Sequence, residues 1–200
     1  LVNYWSGKKL PDLALNVLKR SFKQHPKNLI LHLVKMQVLL NSNRTTEARS
    51  FLQELSLFDF SKDLRAGIEG RILLLEGKFS EAAPMLKQQY EAKPSEQNVT
   101  FLAYALEGNN QKQAAIELLE NHSLEYGLQP RVSLILANIY LSTDKNKAII
   151  EYEKLIKVQP NNIVLLNNLS WLYMEKKLFS QALIHAEKAY SLSPELSDVV

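Results

Sequence analysis

The sequence predicts an all-α fold, a superhelix of antiparallel helix pairs, and three observations carry that expectation. Alanines recur at Ala14, Ala48, Ala82, Ala115, Ala148 and Ala182, spaced by 34, 34, 33, 33 and 34 residues. Twelve positions beyond each stand Pro26, Phe60, Pro94, Gly127, Pro160 and Pro194, so a helix breaker closes most periods. Turn-forming clusters divide each period into two segments, and no strand-like alternation competes.

The elements follow in order from these marks. Ser6-Gly7 precedes Pro11, and a helix over 11–25 places Ala14 and Leu18 one turn apart before Pro26 stops it. A helix over 28–41 carries Met36 and Leu39 and ends at Asn41-Ser42-Asn43; its partner over 45–56 carries Ala48 and Leu52. The next pair, 62–76 and 79–92, sets Gly70 and Leu73 against Ala82 and Leu86 across Glu76-Gly77-Lys78. Pro84 lies about one turn inside the second of these, where it should kink the helix or delay its start. Helices over 96–107 and 111–122 carry Ala103 and Leu106, then Ala115 and Leu119, across Gly108-Asn109-Asn110. Helices over 130–142 and 145–158 carry Ala137 and Tyr140, then Ala148 and Tyr152. Their turn, Ser142 to Asn146, is one residue shorter than its counterpart. The last pair, 162–175 and 179–192, carries Ser170 and Tyr173, then Ala182 and Ala186, across Glu175-Lys176-Lys177. In each pair a small residue lets two helices approach and a large one fills the adjacent gap; Met36 alone breaks the rule.

With 46% hydrophobic residues and few glycines or prolines, the 200-residue chain has ample material for a core and no low-complexity tract. A net charge of +3 is too small to imply the dense phosphate neutralisation that nucleic-acid binding requires. The absence of cysteine removes disulfides, thiolate nucleophiles and Cys-based metal sites. No apolar run is long enough to span a bilayer.

A period of 33–34 with small, large, Ala, Leu and Pro at these offsets resembles the tetratricopeptide repeat (TPR). The unit Asn162 to Pro194 contains LNNLSWLYMEKKLFSQALIHAEKAYSLSP, in which Leu166, Leu169, Ser170, Tyr173, Ala182, Ala186, Ala189 and Pro194 all match. The resemblance implies one solenoid over 1–200: a partial repeat at 1–27, repeats near 28–61, 62–94, 95–128, 129–161 and 162–194, and the start of another at 195–200. Gln89 and His122 stand where a small residue is expected late in the second helix, so those joints should pack less regularly. Leu1 to Ser6 reads as the tail of a helix and Glu195 to Val200 as the beginning of one. Neither end carries a polar cap, which predicts a natural chain that continues in both directions and a tendency to self-associate through exposed ends. The segment from LNNLSW to the end is also similar to the C-terminal repeats of bacterial TPR lipoproteins of the PEP-CTERM/exosortase system. That similarity implies an envelope setting, in the periplasm or at the outer membrane, with a lipid anchor outside this chain; a cytoplasmic TPR adaptor is the alternative.

In a TPR superhelix the first helices line the concave face. Their exposed positions nominate Gln37, Asn41, Arg71, Tyr104, Glu107, Asn138, Asn167, Trp171 and Glu175 as a surface for a protein or peptide, with Trp and Tyr as anchors and Asn for backbone hydrogen bonds. The competing reading of each is an ordinary solvated face, and for Trp171 packing against a following helix. A terminal-carboxylate clamp of the chaperone-adaptor kind is disfavoured: Asn138 and Asn168 fit two of its places, but Leu134 and Asp198 occupy others that need a base. His25, His32, His122 and His185 form no paired metal motif, and no nucleophile elbow or phosphate loop is present. The sequons at Asn43, Asn98, Asn121 and Asn168 fall largely on packed helices. The expected function is therefore interaction without catalysis and without a cofactor or metal; the alternative is an accessory domain of a larger enzyme.

Overall fold

The structure, a computed structural model, describes residues 10–55 and 58–193. Among these residues there are eleven α-helices and no strand: α1 Pro11–Gln24, α2 Leu29–Asn41, α3 Thr45–Glu54, α4 Lys62–Leu75, α5 Phe79–Ala92, α6 Glu96–Gly108, α7 Lys112–Tyr126, α8 Pro130–Thr143, α9 Lys145–Val158, α10 Ile163–Glu175 and α11 Phe179–Leu192. The helix tail expected at 1–6 and the helix start expected at 195–200 lie outside the described residues. The chain divides into two compact units, Leu1–Gln111 and Lys112–Val200. In the first, each helix packs on the next, and α4 also touches α2 and α6, so its first helices stand side by side. In the second, α7 to α11 pack in succession.

All six period-marking alanines are buried, and so are Leu18, Leu52, Leu86, Leu119 and Tyr152 one turn later. Gly70 shows why the facing position is small. A Cβ there would lie 2.8 Å from Cγ of Leu86 and 3.1 Å from its backbone nitrogen, so α4 and α5 meet through a backbone-to-side-chain contact that only glycine permits. Ser170 keeps the approach by another means: its hydroxyl donates to the carbonyl of Ala182 at 2.9 Å. In the first unit, leucine, phenylalanine and isoleucine side chains of α2, α3 and α4, with Leu55 just past α3, form a buried cluster in which Leu39, Leu55 and Ile72 are fully buried.

Four of the five first helices carry side-chain caps, and α8 begins instead with Pro130. Asn28, Ser61, Ser95 and Asn162 accept hydrogen bonds from backbone N–H groups in the first turns of α2, α4, α6 and α10. Within the pairs, the turns close with a residue of positive φ: Asn43, Gly77, Asn110 and Lys177. Each turn has a backbone N–H that returns five residues, as from Arg44 to Leu39 and from Leu178 to Tyr173. The shortened turn has lost this left-handed residue. Asp144 alone ends α8 and caps α9, its carboxylate accepting from Asn146 and Lys147.

Helix ends fall within a residue or two of their expected positions, with one departure. Helix α7 runs to Tyr126, beyond the expected stop near 122, because His122 is buried and bonded to Gln129 at 3.0 Å; the true stop is Gly127, with φ of 77°. Helix α5 begins at Phe79 with no delay and passes through Pro84. Proline removes the bond that would reach back to Ser80, an exposed residue. The expected irregularity at Gln89 has a specific form: its side chain fills the place of the missing side chain of Gly67, where a Cβ would lie 1.9 Å from Cδ of Gln89. The large residue on α5 is accommodated by a glycine on α4, and Oε1 of Gln89 is left buried without a hydrogen-bond partner.

Candidate functional site

On the unit Leu1–Gln111 the structure brings three of the nominated residues together. Arg71 of α4 donates through Nη1 to Oε1 of Gln37 on α2 at 3.0 Å, and Nε2 of Gln37 donates to Oδ1 of Asn41 at 2.7 Å. The donor and acceptor lie 34 residues apart, so the bond joins equivalent positions of successive repeats. The Arg71 guanidinium also lies 4.5 Å from the centre of the Phe101 ring of α6. Burial pulls its pKa down to about 10, which leaves it protonated at neutral pH. Tyr104, on α6, is 44% exposed; Glu107 is half-buried on the same helix.

On the unit Lys112–Val200 the nominated residues form two small groups. Asn138 of α8 is exposed, yet its Oδ1 accepts at 2.8 Å from the hydroxyl of Tyr152, a side chain with no exposure at all. The same hydroxyl accepts from Nδ2 of Asn168 on α10 at 3.1 Å. Burial pushes the Tyr152 phenol upward, which keeps it a neutral donor. A core tyrosine thus fixes one edge of Asn138 and leaves the amide nitrogen for an outside acceptor. Trp171 is 47% exposed; Nζ of Lys145 lies 5.7 Å from its ring and pairs with Glu175 at 2.6 Å. Asn167 is half-buried, and its side chain makes no hydrogen bond among the described residues.

Three contributors were not evident in the sequence. Phe101 and Lys145 stand at ordinary helix positions, and the Tyr152 hydroxyl belongs to a residue read as core. Their roles depend on which helix comes alongside. Histidines serve packing: His32 lies among Phe22, Phe51 and Phe58, and His185 stacks on Tyr173. No group of three or more potential ligands that could hold a metal is present among the described residues, and no described helix is long and apolar enough to cross a membrane.

Two family models, both described as tetratricopeptide repeat, match residues 73–139 and 163–196. No curated protein matches. Solved structures similar to this chain include the MamA protein, with a TM-score of 0.67, 20% identity, and coverage of 84% of this chain and 93% of that one. YrrB, described as a TPR protein with an unusual peptide-binding site, has a TM-score of 0.63 at 15% identity, covering 91% and 94%. The Cut9-Hcn1 hetero-tetramer of the APC/C has a TM-score of 0.72 at 16% identity; 98% of this chain covers 39% of that one. At such identities the likeness shows the fold alone.

Proposed function

Because the chain is built of tetratricopeptide repeats, we propose that it is an interaction scaffold whose first-helix faces hold a protein or peptide. The observation that carries this reading is the presentation of Asn138. A fully buried tyrosine orients an exposed amide, which is ordering spent on a side chain whose remaining donor faces outward. Gln37 and Arg71, with Tyr104, supply the corresponding contacts in the first unit, and Asn167 and Trp171 those in the second. A structurally similar protein described as having a peptide-binding site supports the same class of function.

The test is capture of partners from a lysate of the source cell by the parent chain and by the double variant Asn138→Ala, Trp171→Ala. The variant should lose a set of partners that the parent retains, with unchanged helicity; equal recovery would remove these residues from the binding surface. For setting, the LNNLSW segment supports an envelope TPR lipoprotein of the PEP-CTERM/exosortase kind, and a lipid-free full-length product would reject it in favour of a cytoplasmic adaptor or an accessory domain.

A further inference from the structure

The first-helix face of the unit Leu1–Gln111 holds a cation without a counter-ion. Two other arginines of this unit are paired, Arg44 with Asp12 at 2.5 Å and Arg49 with Glu76 at 2.9 Å, while Arg20 is exposed and Arg65 lies 5.2 Å from the centre of the Phe60 ring. Arg71 is half-buried, and its partners among the described residues are neutral: Gln37 through Nη1, and the face of Phe101. Burial is the one influence that moves its pKa, with no acidic group acting on it. A guanidinium drawn out of water and left without an anion costs free energy that a carboxylate would offset. Its geometry is also set in advance. The ring beneath it restrains the guanidinium plane and Gln37, itself held by Asn41, restrains one edge, while the remaining N–H donors have no partner among the described residues.

We propose that Arg71 is the charge-recognising subsite of this face, taking the side-chain carboxylate of a glutamate or aspartate within a partner segment that runs across α2, α4 and α6. A planar carboxylate matches the free edge of the guanidinium. One cation also suits its single charge better than the roughly doubled charge of a phosphate group. The flanking positions on neighbouring first helices, Gln37 and Tyr104, are neutral and suit a segment that continues past the carboxylate on both sides. The proposal rests on the scaffold reading and adds to it the chemistry of what is held.

The probes are pools of short end-blocked peptides, randomised over neutral residues and fixed at the centre as Glu or Gln, together with an all-neutral pool whose C-terminus is left free. Retention is measured on the immobilised full chain. The parent should retain the Glu pool about tenfold better than the Gln pool, and the preference should shrink as salt is raised. Arg71→Gln should abolish the preference. Arg71→Lys, which keeps the charge but not the planar fork, and Phe101→Leu, which removes the ring beneath it, should each reduce it; these two variants and the salt series decide the matter if Arg71→Gln fails to fold by circular dichroism. Equal retention of the Glu and Gln pools by the parent overturns this proposal and leaves the scaffold reading standing, whereas retention of no pool overturns both. A preference that survives Arg71→Gln, or one for the free C-terminus over the internal Glu, also overturns it.

Discussion

Gly67 and Gln89 form one packing unit, and each alone gives a misleading impression. Glycine within a helix is ordinarily a weakness, and Gly→Ala at an exposed helical site stabilises by about 1 kcal/mol. Here the added methyl would meet the amide end of Gln89, a flexible side chain that must swing aside, so the gain of about 1 kcal/mol should be largely offset and Gly67→Ala should leave the urea midpoint nearly unchanged. Gln89→Met keeps the volume and removes the buried carbonyl oxygen that lacks a partner, and should raise stability by about 1 kcal/mol. Two tyrosines make a parallel case. Tyr140 donates to Glu120 and Tyr173 to Glu153, and burial, reinforced by those carboxylates, pushes both phenols up to about 12. A raised pKa in the folded state means stability is fully present below the unfolded value near 10 and is lost as pH rises through about 12. The melting temperature should therefore fall over that window, and the double variant Tyr140→Phe, Tyr173→Phe should flatten the fall; an identical alkaline profile would count against the two bonds.

The helix pairs differ chiefly in how they turn. Four turns place Asn43, Gly77, Asn110 or Lys177 in the left-handed region, which glycine and asparagine tolerate and lysine does not favour. Lys177→Asn should accordingly stabilise the α10–α11 turn by about 0.5–1 kcal/mol, measured by thermal unfolding. The α8–α9 turn dispenses with that residue and relies on Asp144, whose replacement by Ala should cost about 1 kcal/mol through the loss of the cap on α9. The one-residue deletion was legible from the interval Tyr140 to Ala148, one shorter than Tyr173 to Ala182, and its consequence follows from the geometry of capping: a single residue can end one helix and begin the next only if its side chain satisfies the orphaned N–H groups.

For the molecule as a whole, the buried alanines set the distance between helices. Ala148→Leu on α9 should overpack its contact with α8 and cost about 1–3 kcal/mol; an unchanged denaturation midpoint would deny the register. The second unit also leaves a large apolar surface open on α11, where Phe179, Leu183, Ile184 and Tyr190 are all more than half exposed. Phe179, Leu183 and Tyr190 recur at helical spacing, so they share a face. Such a face favours association, and light scattering should show a mass that rises with concentration and falls back in Leu183→Ser.

The sequence by itself determined the helices, their pairing and the buried positions, because all three are set by local periodicity: a residue two or three turns from a breaker, on the same stripe as an alanine, has one way to be buried. It nominated the polar residues of the first-helix faces by the same counting. What the tertiary structure decided was which of those residues have partners. The bond from Arg71 to Gln37 joins residues 34 apart, and Phe101 reaches the same guanidinium from the next first helix. The Tyr152 hydroxyl links Asn138 to Asn168 through the core. Hydrogen bonds and counter-ions depend on ångström-scale distances between helices, and those distances come from the packed interfaces, where Gly67 yields to Gln89 and Gly70 to Leu86. Periodicity specifies which face a residue occupies; the neighbouring helix determines whether a charge on that face is already satisfied.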